Sequence, residues 1–227
     1  AVSTGCYLLA SSFEMGNSDI TSAANTSLFF NGMTMNSGSR VTQGDNAMLV
    51  INGDLALNGA RLVFLGAGSL YVTGNFTLNS NSVLTIGGNT KIYVSGNVAL
   101  NNSQIVTGSN ADLLIKSAGN LNLNSGSTII SGTGSSVGLL IKGNVEMNAD
   151  TSLNKALLIA NGNIQLNRNA SLLGAAVSNG GNIILNNNAT VTYDATMVQS
   201  VVQDNPSEIS GGGSGASSTS PVEWKSQ

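Results

Sequence analysis

With 227 residues, 41% of them hydrophobic and only 8% charged, the chain is long enough for one elongated domain with a continuous core, and its periodicity excludes a disordered polymer. A formal net charge of −3 gives it none of the electrostatic footprint of a duplex nucleic-acid binder. There is no histidine, which removes the commonest general base and metal ligand. The single cysteine, Cys6, excludes an internal disulfide and a multi-thiolate metal site.

Residues 1–40 read as degenerate capping coils of a repeat that becomes regular further on. Residues 7–15 keep an apolar run and an alternation without the repeat's Gly-Asn. Residues 30–36 regain a glycine and a final Asn, with Gly32 placed 21 residues before Gly53. Terminal repeats are expected to be atypical because they cap the stack. Residues 16–27 are polar and read as a surface loop. Cys6 is either buried or paired with a segment outside this chain.

The body, residues 41–194, repeats a six-residue motif: Gly, Asn or Asp, an apolar residue, any residue, Leu or Met, then Asn. It starts at Gly53, Gly74, Gly96, Gly119, Gly143, Gly162 and Gly181, at spacings of 21, 22, 23, 24, 19 and 19 residues. Gly-Asn and Gly-Asp favour positive φ and a bend, and the next residues alternate, Ile164 inward, Gln165 outward, Leu166 inward. An apolar run precedes most turns, such as Ile92-Tyr93-Val94 and Leu157-Leu158-Ile159, and a weaker segment follows each Asn, such as Ser103-Gln104-Ile105-Val106. Three short strands and three turns in about twenty residues make one coil, which cannot bury its apolar residues without neighbours. The expected fold is all-β: a single-stranded parallel β-helix or solenoid of about nine coils with about 19–24 residues per coil, right-handed. No stretch carries a helical stripe, heptads are absent, and a propeller blade needs about forty residues and periodic aromatics.

The terminal Asn of each copy (Asn58, Asn79, Asn101, Asn124, Asn148, Asn167 and Asn186) is placed to stack on its equivalent, since coils lie about 4.8 Å apart. These residues then form an amide ladder, or else serve as ordinary turn formers; either role is structural. Leu57, Leu78, Leu100, Leu123, Met147, Leu166 and Leu185 line up as one inward column. The coils lengthen through Gly/Ser-rich turns at 107–111 and 131–138 before shortening.

The periodicity stops after Tyr193-Asp194. Residues 195–210 read as a C-terminal cap, with a short helix ended by Asn205-Pro206, and residues 211–227 as a flexible linker and tail. The cap residues expected to cover the last coil are Tyr193, Met197, Val198, Val201 and Val202. Trp224, the only tryptophan, docks on the solenoid flank or on a partner. The longest apolar run, 156–160, is far too short to span a bilayer, and no signal peptide is visible, as in a mature or shortened chain.

No catalytic, cofactor-binding or metal-binding residues emerge. The acids are scattered: Asp54 belongs to a turn, Glu146 points outward beside Ala99, Asn122 and Gln165, and Asp150 sits in a turn, so no acid–base pair forms. No Gly-Gly-x-Gly-x-Asp calcium repeat is present. Lys116 and Lys142 end equivalent strands and are expected to stack as an exposed like-charge pair. Phe64, Phe76, Tyr71 and Tyr93 are expected to face the core or stack internally.

Three stretches are familiar: Lys91-Ile92-Tyr93-Val94-Ser95-Gly96-Asn97-Val98, Leu158-Ile159-Ala160-Asn161-Gly162-Asn163-Ile164, and Asn188-Ala189-Thr190-Val191-Thr192-Tyr193-Asp194. They resemble the C-terminal β-solenoid domain of PilX-like type IV pilus assembly (minor pilin) proteins and the solenoid part of MshQ-like pilus biogenesis proteins. Tyr193, Asp194 and Trp224 are the matching positions, and the first forty residues match poorly. The long hydrophobic N-terminal helix that anchors a pilin is missing from this sequence, either removed or replaced by another mode of assembly. The resemblance implies an exported, cell-surface, non-enzymatic component of pili, minor or at the tip, with an adhesion role and other filament subunits or itself as partners. Alternatives are a self-assembling solenoid filament, a glycan-binding or carbohydrate-active β-helix taking a surface glycan, and a cytosolic bactofilin-like polymer. Neither a nucleic-acid partner nor a membrane span within this chain is expected.

Overall fold

The computed structural model describes residues 5–9 and 12–204. They form an all-β solenoid of about nine turns built from parallel strands, with one helix at the C-terminal end. A representative coil runs Gly68–Val72, Phe76–Asn79 and Val83–Ile86, and returns at Thr90–Val94 on top of the strand where it began. Each strand pairs only with its equivalents in adjacent coils, and the register is kept: Leu78 lies between Leu57 and Leu100, and Asn79 between Asn58 and Asn101. The strand bearing the motif recurs nine times, from Phe13–Met15 to Ile183–Leu185, as one nine-stranded sheet. The strands that precede and follow it in each coil make the other two faces.

Alternation decides what is buried. On the motif face the first and third residues of each strand point inward, so Leu57, Leu78, Leu100, Leu123, Met147 and Leu166 are sealed in one column. Leu49, Leu70, Ile92, Ile115, Leu139 and Leu158 meet them from the preceding face, and Leu62, Leu84, Ile105, Ile129 and Leu153 from the following one. Phe64 and Phe76 are fully buried among them. Each fully buried Leu contributes about 1.5–3 kcal/mol of transfer free energy, an upper figure given residual compaction of the unfolded chain.

The fall from 24 to 19 residues per coil has a structural cause. Up to the coil of Thr128–Ile130 and Val137–Ile141, a separate turn joins the third face to the first. In the next coil the two faces fuse into one bent strand, Ser152–Ala160, which pairs with both. Its successor, Ser171–Ser178, repeats the fusion, and the turn of 131–136 has no counterpart. The bend is a bulge: Leu153 pairs with Leu172 and Ala156 with Gly174, so two residues oppose one. Lys155 (φ 51°) and Gly174 (φ 138°) take the left-handed conformations this requires.

The N-terminal region departs from the expected surface loop. Asp19–Thr21 is a strand, in register with Arg40–Thr42 of Arg40–Gln43, and Thr26–Phe30 continues the first face. Residues 16–27 therefore complete a coil; their polar sequence hides it because Ile20 is the one large apolar residue that packs against the core, beside the buried Ser22 and Thr26. Gly5–Leu9 and Phe13–Met15 likewise pair in register with Thr26–Phe30 and Met33–Met35, so the first coils differ from the body in sequence rather than in geometry.

Candidate functional site

The side chains that repeat coil after coil make two polar ladders along the motif face. The terminal Asn residues form a continuous chain of side-chain amide bonds. Each Nδ2 donates to the Oδ1 of the Asn one coil nearer the N-terminus: Asn186 to Asn167 (3.0 Å), Asn167 to Asn148 (2.8 Å), Asn148 to Asn124 (2.7 Å), and Asn124 to Asn101 (2.8 Å). It continues from Asn101 to Asn79 (2.7 Å), Asn79 to Asn58 (2.9 Å) and Asn58 to Asn36 (3.2 Å). Asn36 then donates to the Glu14 carboxylate at 2.7 Å, which ends the ladder. All donors point one way, so the ladder has a polarity.

The second ladder starts from the other Asn of the motif. The Oδ1 of Asn75 accepts the backbone N–H of Asn97 (2.9 Å), and the same bond runs from Asn97 to Asn120, Asn120 to Asn144, Asn144 to Asn163 and Asn163 to Asn182, each at 2.8 Å. It begins at Asp54, whose Oδ1 accepts the N–H of Asn75 at 2.6 Å. The coil below Asp54 has Gly32 in its place, in register ahead of Met33, so this carboxylate needs no downward donor.

The turn glycines act differently from the expected bend formers. Of Gly53, Gly74, Gly96, Gly119, Gly143, Gly162 and Gly181, only Gly53 has positive φ, at 135°. The others are glycine because the coils approach too closely there for a Cβ. One on Gly96 or Gly119 would lie 2.6 Å from the carbonyl oxygen of the glycine below, and one on Gly143 or Gly162 2.7 and 2.9 Å. Left-handed residues instead turn the corner after the ladder Asn, at Asn81, Asn102, Ser125, Asp150, Asn169 and Asn187.

The outer surface of the first face corrects two further expectations. Tyr71 and Tyr93 point outward, because Leu70 and Val72 on either side of Tyr71 take the inward positions. Their rings stack with centroids 5.0 Å apart and planes 10° from parallel. Lys116 is in register with Tyr93 on one side and Leu140 on the other, and its Nζ lies 6.0 Å from the Tyr93 ring centroid. Lys142 follows Ile141, the partner of Ser117, so the two lysines sit two positions out of register and form no like-charge stack. Tyr93, Lys116, Leu140, Lys142 and Ile159 line a shallow depression of about 390 Å³.

Of the cap residues whose side chains are described, Tyr193, Val201 and Val202, none is buried against the last inward column. The helix Ala195–Asp204 starts from Asp194, whose Oδ1 accepts the Thr196 N–H (3.1 Å) and hydroxyl (2.7 Å) as an N-cap. It then lies back over the outer first face, where Val201 is buried against Leu157 with Ile159 and Ala175 beside it. Outward Leu157 gives the helix an apolar seat on this face. Val202 and Tyr193 remain exposed, and Leu185, last of the inward column, is 49% exposed. The side chains of Met197 and Val198 are not described, and Cys6 and Trp224 lie outside the described side chains.

The described acids lie singly, in turns or, like Glu14 and Glu146, on strands, and several bond to the next coil. Asp45 accepts the Ala67 N–H (2.8 Å) and Asp112 the Ser136 N–H and hydroxyl (both 2.8 Å). Asp150 makes an exposed pair with Arg168 at 3.5 Å, of a kind worth at most about 1 kcal/mol. Among the described residues no group of three His, Cys, Asp or Glu side chains could hold a metal ion, and no helix is long and apolar enough to cross a membrane.

The molecule is thus a parallel β-solenoid braced by polarised asparagine ladders. By sequence, the chain belongs to the family described as a domain of unknown function (DUF7305), whose model matches residues 60–200. No curated protein and no solved structure was found to match it.

Proposed function

We propose that this solenoid is a non-enzymatic structural module of an extracellular filament of the type IV pilus kind, as a minor or tip component. The observation that carries this reading is the distribution of polar groups. The repeated Asn side chains are spent on coil-to-coil bonding, and the described carboxylates lie singly, in turns or on strands, with no second carboxylate paired to them. Such a rod transmits load along its axis and presents sparsely charged faces to neighbours. The resemblance of residues 91–194 to pilus-associated solenoids supports the same reading. A sugar-stacking platform draws less support, because Tyr93 has Tyr71 on one face and Lys116 over the other.

Fractionation of the native source tests the proposal. The protein is expected in sheared filaments or the cell envelope; finding it only in the cytosol overturns it.

A further inference from the structure

We propose that Asn179-Gly180 is a self-modification site, where the folded chain converts one asparagine to an aspartyl or isoaspartyl residue, while its other Asn-Gly pairs are held unreactive by coil-to-coil bonds. This goes beyond the filament reading and stands or falls apart from it.

The chain has five Asn-Gly pairs, beginning at Asn31, Asn52, Asn58, Asn161 and Asn179. Glycine is the residue after which the backbone attacks an asparagine side chain most readily, because no Cβ shields its nitrogen and its backbone is the freest. Two groups must be released for that attack. The glycine N–H must have no acceptor, since its nitrogen is the nucleophile, and the asparagine side chain must swing over it.

Four of the pairs are tied. Asn58 is a ladder residue, bonded to Asn36 below and Asn79 above, and the Gly59 N–H is shared between the Asn79 carbonyl (3.0 Å) and the Ser82 hydroxyl (2.9 Å). Asn52 donates to Asn31 (3.1 Å) and accepts the Thr73 hydroxyl (3.2 Å), and the Gly53 N–H donates to Thr73 Oγ1 at 2.8 Å. Asn31 is held by the same bond from Asn52. After Asn161, the Gly162 N–H donates to the Gly143 carbonyl at 3.0 Å.

The fifth pair differs because its corner holds one residue more. The Asn179 N–H donates to the Ala160 carbonyl as that of Asn161 does to Ile141, and the Asn182 N–H bonds to Asn163. One residue, Gly162, lies between Asn161 and Asn163, but two lie between Asn179 and Asn182. Gly181 stands over Gly162 and its N–H donates to the Ser178 hydroxyl at 3.0 Å. Gly180 is the extra residue, and among the described residues its N–H meets no acceptor. Asn179 and Gly180 are both exposed. The Asn179 side chain keeps only a 3.4 Å contact to Asn161 Oδ1, longer than an ordinary N–H···O bond.

The reaction needs only water and a solvent base. The Gly180 nitrogen loses its proton and attacks Cγ of Asn179; the N–Cγ bond forms, the Cγ–Nδ2 bond breaks, and Nδ2 leaves as ammonia. Water then opens the cyclic imide at either carbonyl, which leaves an aspartyl or an isoaspartyl residue. The new carboxylate lies in the depression that Asn179 lines together with Lys142 and Asn161.

The purified full chain, incubated folded at mildly alkaline pH and followed by peptide-mapping mass spectrometry with isoaspartate labelling, tests the proposal. Asn179 is expected to convert about tenfold faster than Asn31, Asn52 or Asn161, and at least about a hundredfold faster than Asn58, the factors that correspond to opening one or several hydrogen bonds first. In the urea-unfolded chain the five pairs should convert at comparable rates. Deletion of Gly180 keeps an Asn-Gly pair, Asn179 then preceding Gly181, and gives the corner the length of Ser117-Ala118-Gly119. There the Gly119 N–H is bonded to the Gly96 carbonyl (3.0 Å) and to Ser117 Oγ (3.1 Å). Conversion at Asn179 should slow about tenfold in that variant. Another pair converting first in the folded chain, the same spread of rates folded and unfolded, or an undiminished rate in the folded deletion variant overturns the assignment. If the deletion variant does not fold, the order of the five pairs in the unmodified chain decides.

Discussion

The coil that carries Leu166 and the coil that carries Leu185 use the same six-residue motif 19 residues apart, yet Leu166 is sealed and Leu185 is half exposed. Both residues point inward, both follow a Gly-Asn turn, and both precede a ladder Asn. What differs is the neighbour above: Ile164–Leu166 has strands on both sides, and Ile183–Leu185 has one. Burial here belongs to the stack rather than to the motif, as expected of a quasi-one-dimensional fold in which each repeat contacts only its neighbours.

The comparison is broken most directly by truncating the two leucines. Leu166→Ala should cost about 2–5 kcal/mol in denaturant unfolding, by transfer and cavity terms together. Leu185→Ala should cost about 1 kcal/mol or less, near the range of surface substitutions. Equal losses would mean that the last coil is covered in solution. The bulge between these coils sharpens the contrast. Gly174→Ala places a Cβ onto the Ala156 backbone at φ 138° and should lower stability by about 1–3 kcal/mol, read as a fall in Tm.

The ladder gives the next contrast. Asn101→Ala leaves Asn79 without its donor and Asn124 without its acceptor, and should cost about 1–3 kcal/mol. Asn186→Ala removes a single bond at the rim and should cost about 0.5–1.5 kcal/mol. The smallest effect belongs to Gln165→Ala, at about 0.5 kcal/mol or less, although its Nε2 donates to Asn167 at 2.8 Å. Chemical denaturation of each variant at equal m-value checks this order.

Much of this was legible in the sequence, for reasons particular residues make plain. The motif repeats its own register, so the motif face, the inward column and the stacking of seven Asn residues follow from spacing alone. The eighth ladder residue, Asn36, and the terminating Glu14 stand outside the intact motif, and only the register of Phe13–Met15 on Met33–Met35 brings them in. Asp19–Thr21 was illegible because one apolar residue makes no pattern; pairing with Arg40–Thr42 creates that strand. Lys116 and Lys142 were aligned by the ends of their apolar runs, whereas the register is carried by Gly119 and Gly143, whose backbones hydrogen-bond at 2.9 Å. The outward position of the tyrosines was readable from the same period of two that placed Ile164 and Leu166 inside, and of the two expectations, core-facing or stacked, it is stacking that Tyr71 and Tyr93 show. The helix was readable from composition. Its seat was not, because that depends on Leu157, two coils earlier in the stack, facing outward.

The central claim is that the coils are locked in register by one continuous, one-directional ladder of side-chain amides. Nuclear magnetic resonance of the asparagine side chains tests it most directly. For Asn58, Asn79, Asn101, Asn124, Asn148 and Asn167, one Nδ2 proton each should exchange slowly with solvent and show through-bond coupling to the carbonyl of the Asn in the preceding coil. Fast, uniform exchange of both protons at these positions, in a chain whose backbone amides are protected, would contradict it.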